Sequence, residues 1–218
     1  YEERPVELLY ATGAARIDER QWNQAIDYFA EVERQHPYSE WSRRAILMTA
    51  YANYQAGKYV EAIGDADRFL SLYPGNPSAV YAHYLKAICY FDQIVDVGRD
   101  QASTGQALAA LRDVVQRYPR TEYAADARLK IDMVNDQLAG KEMSVGRYYL
   151  RHGDTLAEEA KRNGAVLGYN YPGDYWYLEA YKLLTSKDLR PAVVPDAKAK
   201  RGLHLPFVKD PALSLIHI

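Results

Sequence analysis

The chain has 218 residues, with 27 Lys and Arg against 29 Asp and Glu and a formal net charge of −2. Nucleic-acid affinity rests on clustered surplus cations, so this balance gives no electrostatic basis for a nucleic-acid partner. The lone Cys89 excludes a disulfide framework and a thiolate zinc site, and no apolar run approaches the roughly 20 residues a bilayer-spanning helix needs.

In chain order, the sequence predicts helices over 5–19, 22–35, 40–55, 59–72, 77–93, 103–117, 121–138, 141–152, 156–168 and 173–184, with no sustained period-two alternation and hence no sheet. The helices come in punctuated pairs. His36-Pro37, Tyr73-Pro74 and Tyr118-Pro119 each close one unit, and Tyr171-Pro172 is a less regular echo. Proline lacks a backbone donor and clashes in a helix interior, so it ends each unit. Pro37 to Pro74 is 37 residues and Pro74 to Pro119 is 45. Ala50 and Ala87 both fall 13 residues after the preceding Pro, so the extra 8 residues lie later in the third unit, near Ile94–Gln101.

Inside each unit the second helix carries the same small–large stripe: Ala25, Phe29 and Val32; Ala62, Ala66 and Phe69; Ala107, Leu111 and Val114. The i, i+4, i+7 spacing is one helical face. Ser39 and Thr121 read as N-caps, Pro77 as a first-turn proline, and Gly57 and Gly153 as left-handed residues after a helix. The composition agrees, because 13 Gly is modest for this length and Tyr outnumbers Phe 20 to 4, a bias towards aromatics that keep a polar tip.

Helix–turn–helix units of this length resemble tetratricopeptide (TPR) repeats. The implied fold is all-α, a TPR-type right-handed helical solenoid of about four to five repeats, in which stacked neighbours share one core. The implied organisation is 1–119 as repeats one to three with a peptide-binding groove, 120–185 as C-terminal repeats with a docking surface, and 186–218 as a disordered tail. In such folds the first helix of each pair lines the groove. The inward positions are Glu7 and Tyr10, then Arg44, Tyr51 and Tyr54, then Tyr81, Tyr84 and Phe91. An aromatic ladder with a cation suits an extended peptide, Arg44 meeting a terminal carboxylate. Trp22 reads as structural, and Trp41 as either structural or part of the groove.

Five blocks narrow the resemblance: YEERPVELLY (1–10), FDQIVDVGRDQ (91–101), YPRTEYAADARLKI (118–131), LAGKEMSVGRYYLRHG (138–153) and AVLGYNYPGDYW (165–176). In this order they resemble the BamD family in its alphaproteobacterial form, the TPR lipoproteins of the outer-membrane β-barrel assembly (BAM) machinery. The resemblance implies a non-catalytic scaffold on the periplasmic face of the outer membrane. Its implied partners are BamA, through the POTRA domains, the other BAM lipoproteins, and unfolded outer-membrane β-barrel proteins. It implies no cofactor, and contact with the membrane only through a lipid on an N-terminal Cys absent from this chain, which opens at Tyr1 as a fragment or processed form would. The family has five repeats. Here Arg151-His152-Gly153-Asp154 is followed almost at once by Leu156-Ala157-Glu158-Glu159-Ala160, so about one repeat's worth of chain, the second helix of the fourth repeat and the first of the fifth, is missing. The last six residues, 213–218, resemble a translated sequencing adaptor and are set aside from fold reasoning.

No catalytic constellation stands out. His36, His83, His152, His204 and His217 show no metal-ligand spacing, Cys89 sits among apolar neighbours, and the pairs Asp65/Asp67 and Glu158/Glu159 read as solvated helix faces. There is no phosphate-cradling glycine loop and no GxSxG. An enzyme would need a further domain, for which the tail after 185 is too short. The alternative to the BAM scaffold is a generic periplasmic TPR adaptor.

Overall fold

The computed structural model describes residues 4–94, 101–151, 157–171, 175–187 and 189. Among these there are nine helices and no strand: α1 (Val6–Asp18), α2 (Trp22–Gln35), α3 (Glu40–Gln55), α4 (Tyr59–Leu72), α5 (Ala79–Asp92), α6 (Gln101–Arg117), α7 (Glu122–Arg151), α8 (Ala157–Asn170) and α9 (Tyr175–Ser186). The chain divides into two compact units between Val134 and Asn135, inside α7.

In the first unit each helix from α1 to α5 packs on the next, and the first helices also touch one another across repeats, α1 with α3 and α3 with α5. The second helices α2 and α4 meet instead through long polar side chains, with Arg68 on Glu33 and Lys58 Nζ donating to Asn23 Oδ1 at 2.8 Å. First helices closer together than second helices make a curved stack with α1, α3 and α5 on the inner side. This is a TPR-type helical repeat.

The repeat stripe is the core. Ala25, Phe29, Val32, Ala62, Ala66, Ala107, Leu111 and Val114 are all fully buried, and Phe69 is nearly so. The Ala of each triplet lets the paired helix approach, and the larger residue fills the space beside it. Phe29 gathers Leu9 and Ala45 around it, with Tyr10, Ile17 and Trp41 packed at the edge. Gly13 is part of the same arrangement, since a Cβ there would meet the Phe29 ring at 2.7 Å.

The caps follow the sequence. Ser39 Oγ accepts from Ser42 N at 3.0 Å and Thr121 Oγ1 from Ala124 N at 3.2 Å. Gly57 has φ +75°, and the α3 end closes with Lys58 N donating to Asn53 O at 2.9 Å. The α1 end repeats this motif with a residue that pays for it sterically: Arg20 has φ 59°, and Gln21 N donates to Arg16 O at 2.8 Å.

Two expectations are corrected. In place of separate helices over 121–138 and 141–152 there is one, α7, unbroken from Glu122 to Arg151 over 30 residues. The helix runs through Gly140, where a Cβ would sit 3.2 Å from the Trp176 indole, so its smallness serves packing against α9. Pro77 lies ahead of α5 rather than in its first turn. Asn76 Oδ1 accepts from Ser78 N at 2.8 Å and Asn76 O from Ala79 N at 2.9 Å, so the turn is complete before the helix begins. Gly153, residues 95–100 of the third-repeat insert and residues 190–218 lie outside the described residues.

The second unit is built on glycine contacts. In α8, Gly168 admits the ring of fully buried Tyr177 and Gly164 admits Leu184, with hypothetical Cβ atoms at 2.7 and 2.5 Å from them. Ala139, Met143, Leu167 and Ala180 complete this core. Trp176 Nε1 donates to Asp136 Oδ1 at 2.9 Å, which satisfies the indole while its ring packs.

Candidate inner-face binding site

The sequence-predicted groove residues divide into two groups. Tyr81, Tyr84 and Phe91 on α5 are buried. Tyr81 and Tyr84 both lie against the Tyr123 ring of α7, at centroid distances of 5.9 and 4.9 Å. Phe91 lies beneath the Lys130 ammonium at 5.7 Å. Tyr84 donates to Asp126 Oδ2 at 2.5 Å, and Lys130 Nζ donates to both oxygens of the same carboxylate at 2.8 and 3.0 Å. One repeat earlier Tyr54 donates to Asp92 Oδ2 at 2.8 Å. Phenol-to-carboxylate bonds thus join α3 to α5 and α5 to α7. Burial first, and then the facing carboxylate, push both phenols well above their usual range, so they remain donors.

The second group offers accessible surface at the start of the stack. Tyr10 of α1 is half-buried between Phe29, at 5.4 Å, and Trp41 of α3, at 4.9 Å. The Arg44 guanidinium lies 5.3 Å from the Trp41 ring centre, and Nη2 donates to Glu40 Oε1 at 3.2 Å. Arg44 keeps 36% of its side-chain surface exposed, which leaves donors facing outward. Burial raises the Tyr10 pKa and the Arg44 charge opposes that rise. Glu7 is exposed on α1, and Tyr51 on α3 is half-buried. Burial raises the Tyr51 pKa, against a bond with Gln55.

Register arguments identified the tyrosines and Arg44 but missed Asp92, Tyr123, Asp126 and Lys130. Trp41, left open between two roles, packs on Tyr10 and under Arg44 together. Cys89 is fully buried, and burial pushes its thiol up to about 12, the state of an inert packing residue. Among the described residues no cluster of His, Cys, Asp or Glu is arranged to hold a metal ion, and no helix is long and apolar enough to cross a membrane. In the second unit, Met143, Leu150, Leu167, Leu183 and Leu184 line a small apolar cleft that Glu142 and Arg147 also border.

A family model described as "YfiO: Outer membrane lipoprotein" matches residues 2–190. An outer membrane protein assembly factor BamD from Caulobacter vibrioides is 66% identical, over 93% of this chain and 78% of its own length. The chain belongs to the BamD family. The BamD of Rickettsia prowazekii is 36% identical over 83% of the chain and 86% of its own length, and that of Neisseria gonorrhoeae 30% over 96% and 82%. The match to the Caulobacter BamD runs over 238 positions, against 218 residues here, so that relative carries residues for which this chain has no counterpart. Members of the BamD family are thus matched along nearly the whole repeat array, including the helices that carry Tyr10, Trp41 and Arg44.

Proposed function

We propose that this chain is a non-catalytic scaffold of the outer-membrane β-barrel assembly machinery, holding extended segments of unfolded outer-membrane proteins along the inner face of α1, α3 and α5. The observation that carries this reading is the Tyr10–Trp41–Arg44 cluster. The half-exposed guanidinium suits a chain-terminal carboxylate, and the ring edges beside it suit the aromatic side chain that ends many β-barrel strands. Glu7, Tyr51 and Tyr54 extend the polar and aromatic surface along the same row, so a bound strand runs from Arg44 towards α5. Tyr81, Tyr84 and Phe91 act beneath this surface, fixing the spacing of α5 and α7.

The second unit, with its apolar cleft, is the surface for BamA, through the POTRA domains, and for the other BAM lipoproteins. The protein works on the periplasmic face of the outer membrane, held by a lipid on a preceding Cys, and uses no cofactor. Binding of a labelled peptide ending in the C-terminal strand of a barrel protein tests the groove by fluorescence anisotropy. Arg44→Ala is expected to weaken it about tenfold, the equivalent of one charge-assisted hydrogen bond, and Tyr51→Ala to weaken it less. Equal affinity for wild type and both variants removes the inner face from the account. Failure to retain BamA in a pull-down, with peptide binding intact, leaves the generic TPR adaptor instead.

A further inference from the structure

The chain entering α1 is strapped to the end of α2. Arg4 N donates to Gln35 Oε1 at 3.0 Å, and the His36 ring lies 3.0 Å from Arg4 O through Nε2. Gln35 is itself held by a bond to Glu31, which also accepts from Nε and Nη2 of Arg34. Bonds from Arg34 first, then Gln35, with the charges of Arg34 and Arg4 adding to them, keep the Glu31 carboxyl down at about 2, so this clasp is ionised across the physiological range. Arg4 is therefore held beside the α2–α3 turn.

That turn carries a residue the fold does not use. Tyr38 is 100% exposed. The two later repeats place Gly75 and Arg120 after the equivalent proline, so the repeat requires no aromatic there. The turn is closed without the Tyr38 side chain, by Ser39 N and Oγ both donating to His36 O. A phenol ring with no packing partner loses apolar surface to water, and the membrane–water interface is where such a ring is favoured.

We propose that the α2–α3 corner, with Tyr38 at its tip, rests on the phospholipid headgroup surface when the protein is anchored. This rests on the lipid-anchored reading given above, and the strap holds Arg4 beside the same corner. The strap and the unshared aromatic are separate observations, and both fall on this corner.

The test holds the full chain on phosphatidylethanolamine–phosphatidylglycerol vesicles through an N-terminal hexahistidine and a nickel-chelating lipid. An environment-sensitive fluorophore is attached at Tyr38→Cys or, as control, at Val60→Cys, a residue 74% exposed in the same unit, just past the far end of α3; Cys89 is buried and takes no label. The expected result is a blue shift and rise in emission at position 38 on vesicles, with neither at 60, and a smaller response at 38 when His36→Ala loosens the strap. Emission at 38 that ignores vesicles, or that changes equally at 60, overturns the proposal. Since the tether is supplied, this failure is separable from failure of native lipidation. Native lipidation is tested by palmitate labelling of the natural gene product in cells.

Discussion

Replacing Tyr84 by Phe removes one oxygen from the α5–α7 seam and leaves the ring. Tyr84 is 4% exposed and its hydroxyl donates to Asp126 at 2.5 Å. Hydrogen bonds to charged groups contribute about 1.5–3 kcal/mol. The lower end applies, because Asp126 retains Lys130 on both oxygens and is 30% exposed, so water can replace the phenol. The Tyr123 ring contact survives in Phe. The expected loss is about 1.5 kcal/mol, or roughly 3–6 °C in melting temperature for a chain of this size. Thermal melts by circular dichroism of Tyr84→Phe, Asp126→Asn and the double variant form a cycle with an expected coupling near 1 kcal/mol. Strictly additive losses would show that the two groups do not meet in the folded protein, and the phenol–carboxylate seam would fall with them.

Three further outcomes are expected. Arg20→Gly relieves a left-handed side-chain clash and raises stability by about 0.5–1 kcal/mol, whereas Gly57→Ala at the matching position lowers it by about 1 kcal/mol in denaturant titrations. Gly168→Ala drives a Cβ into the Tyr177 ring and costs about 1–3 kcal/mol, read as loss of near-UV dichroism from the second unit. His83 is held below its ordinary 6.5, by burial first and by Arg117 and Lys86, against Asp113 at 3.6 Å and Asp67. The unfolded chain therefore takes up the proton first, and stability present above pH 6.5 declines as pH falls towards the folded value. His83→Gln is expected to flatten that decline, and an unchanged slope would count against the assignment.

The helices and most of the core were legible because a 37-residue register repeats a small–large stripe, and a stripe on one helical face has one way to be buried. Gly57 announced its own conformation; Arg20 did not, since only its place in the repeat marks it as left-handed. The break expected between 138 and 141 is absent: Gly140 lies inside α7, where its smallness admits the Trp176 indole, and the sequence does not show that contact. The groove tyrosines followed from register, but their partners did not. Tyr54 reaches Asp92 and Tyr84 reaches Asp126 across intervals that match neither repeat length, and such pairings depend on how neighbouring helices cross. Trp41 stayed ambiguous because its two roles differ only in what lies above and below one ring.

Because α7 is continuous through the boundary between units, proline punctuation is a poor guide to where the chain may be cut for expression. A fragment stopped at Pro119 would strip Tyr123, Asp126 and Lys130 from α5 and present its bared aromatic flank to the solvent as a sticky end. One carried on to Val134 keeps that cover, and is the shorter piece worth making.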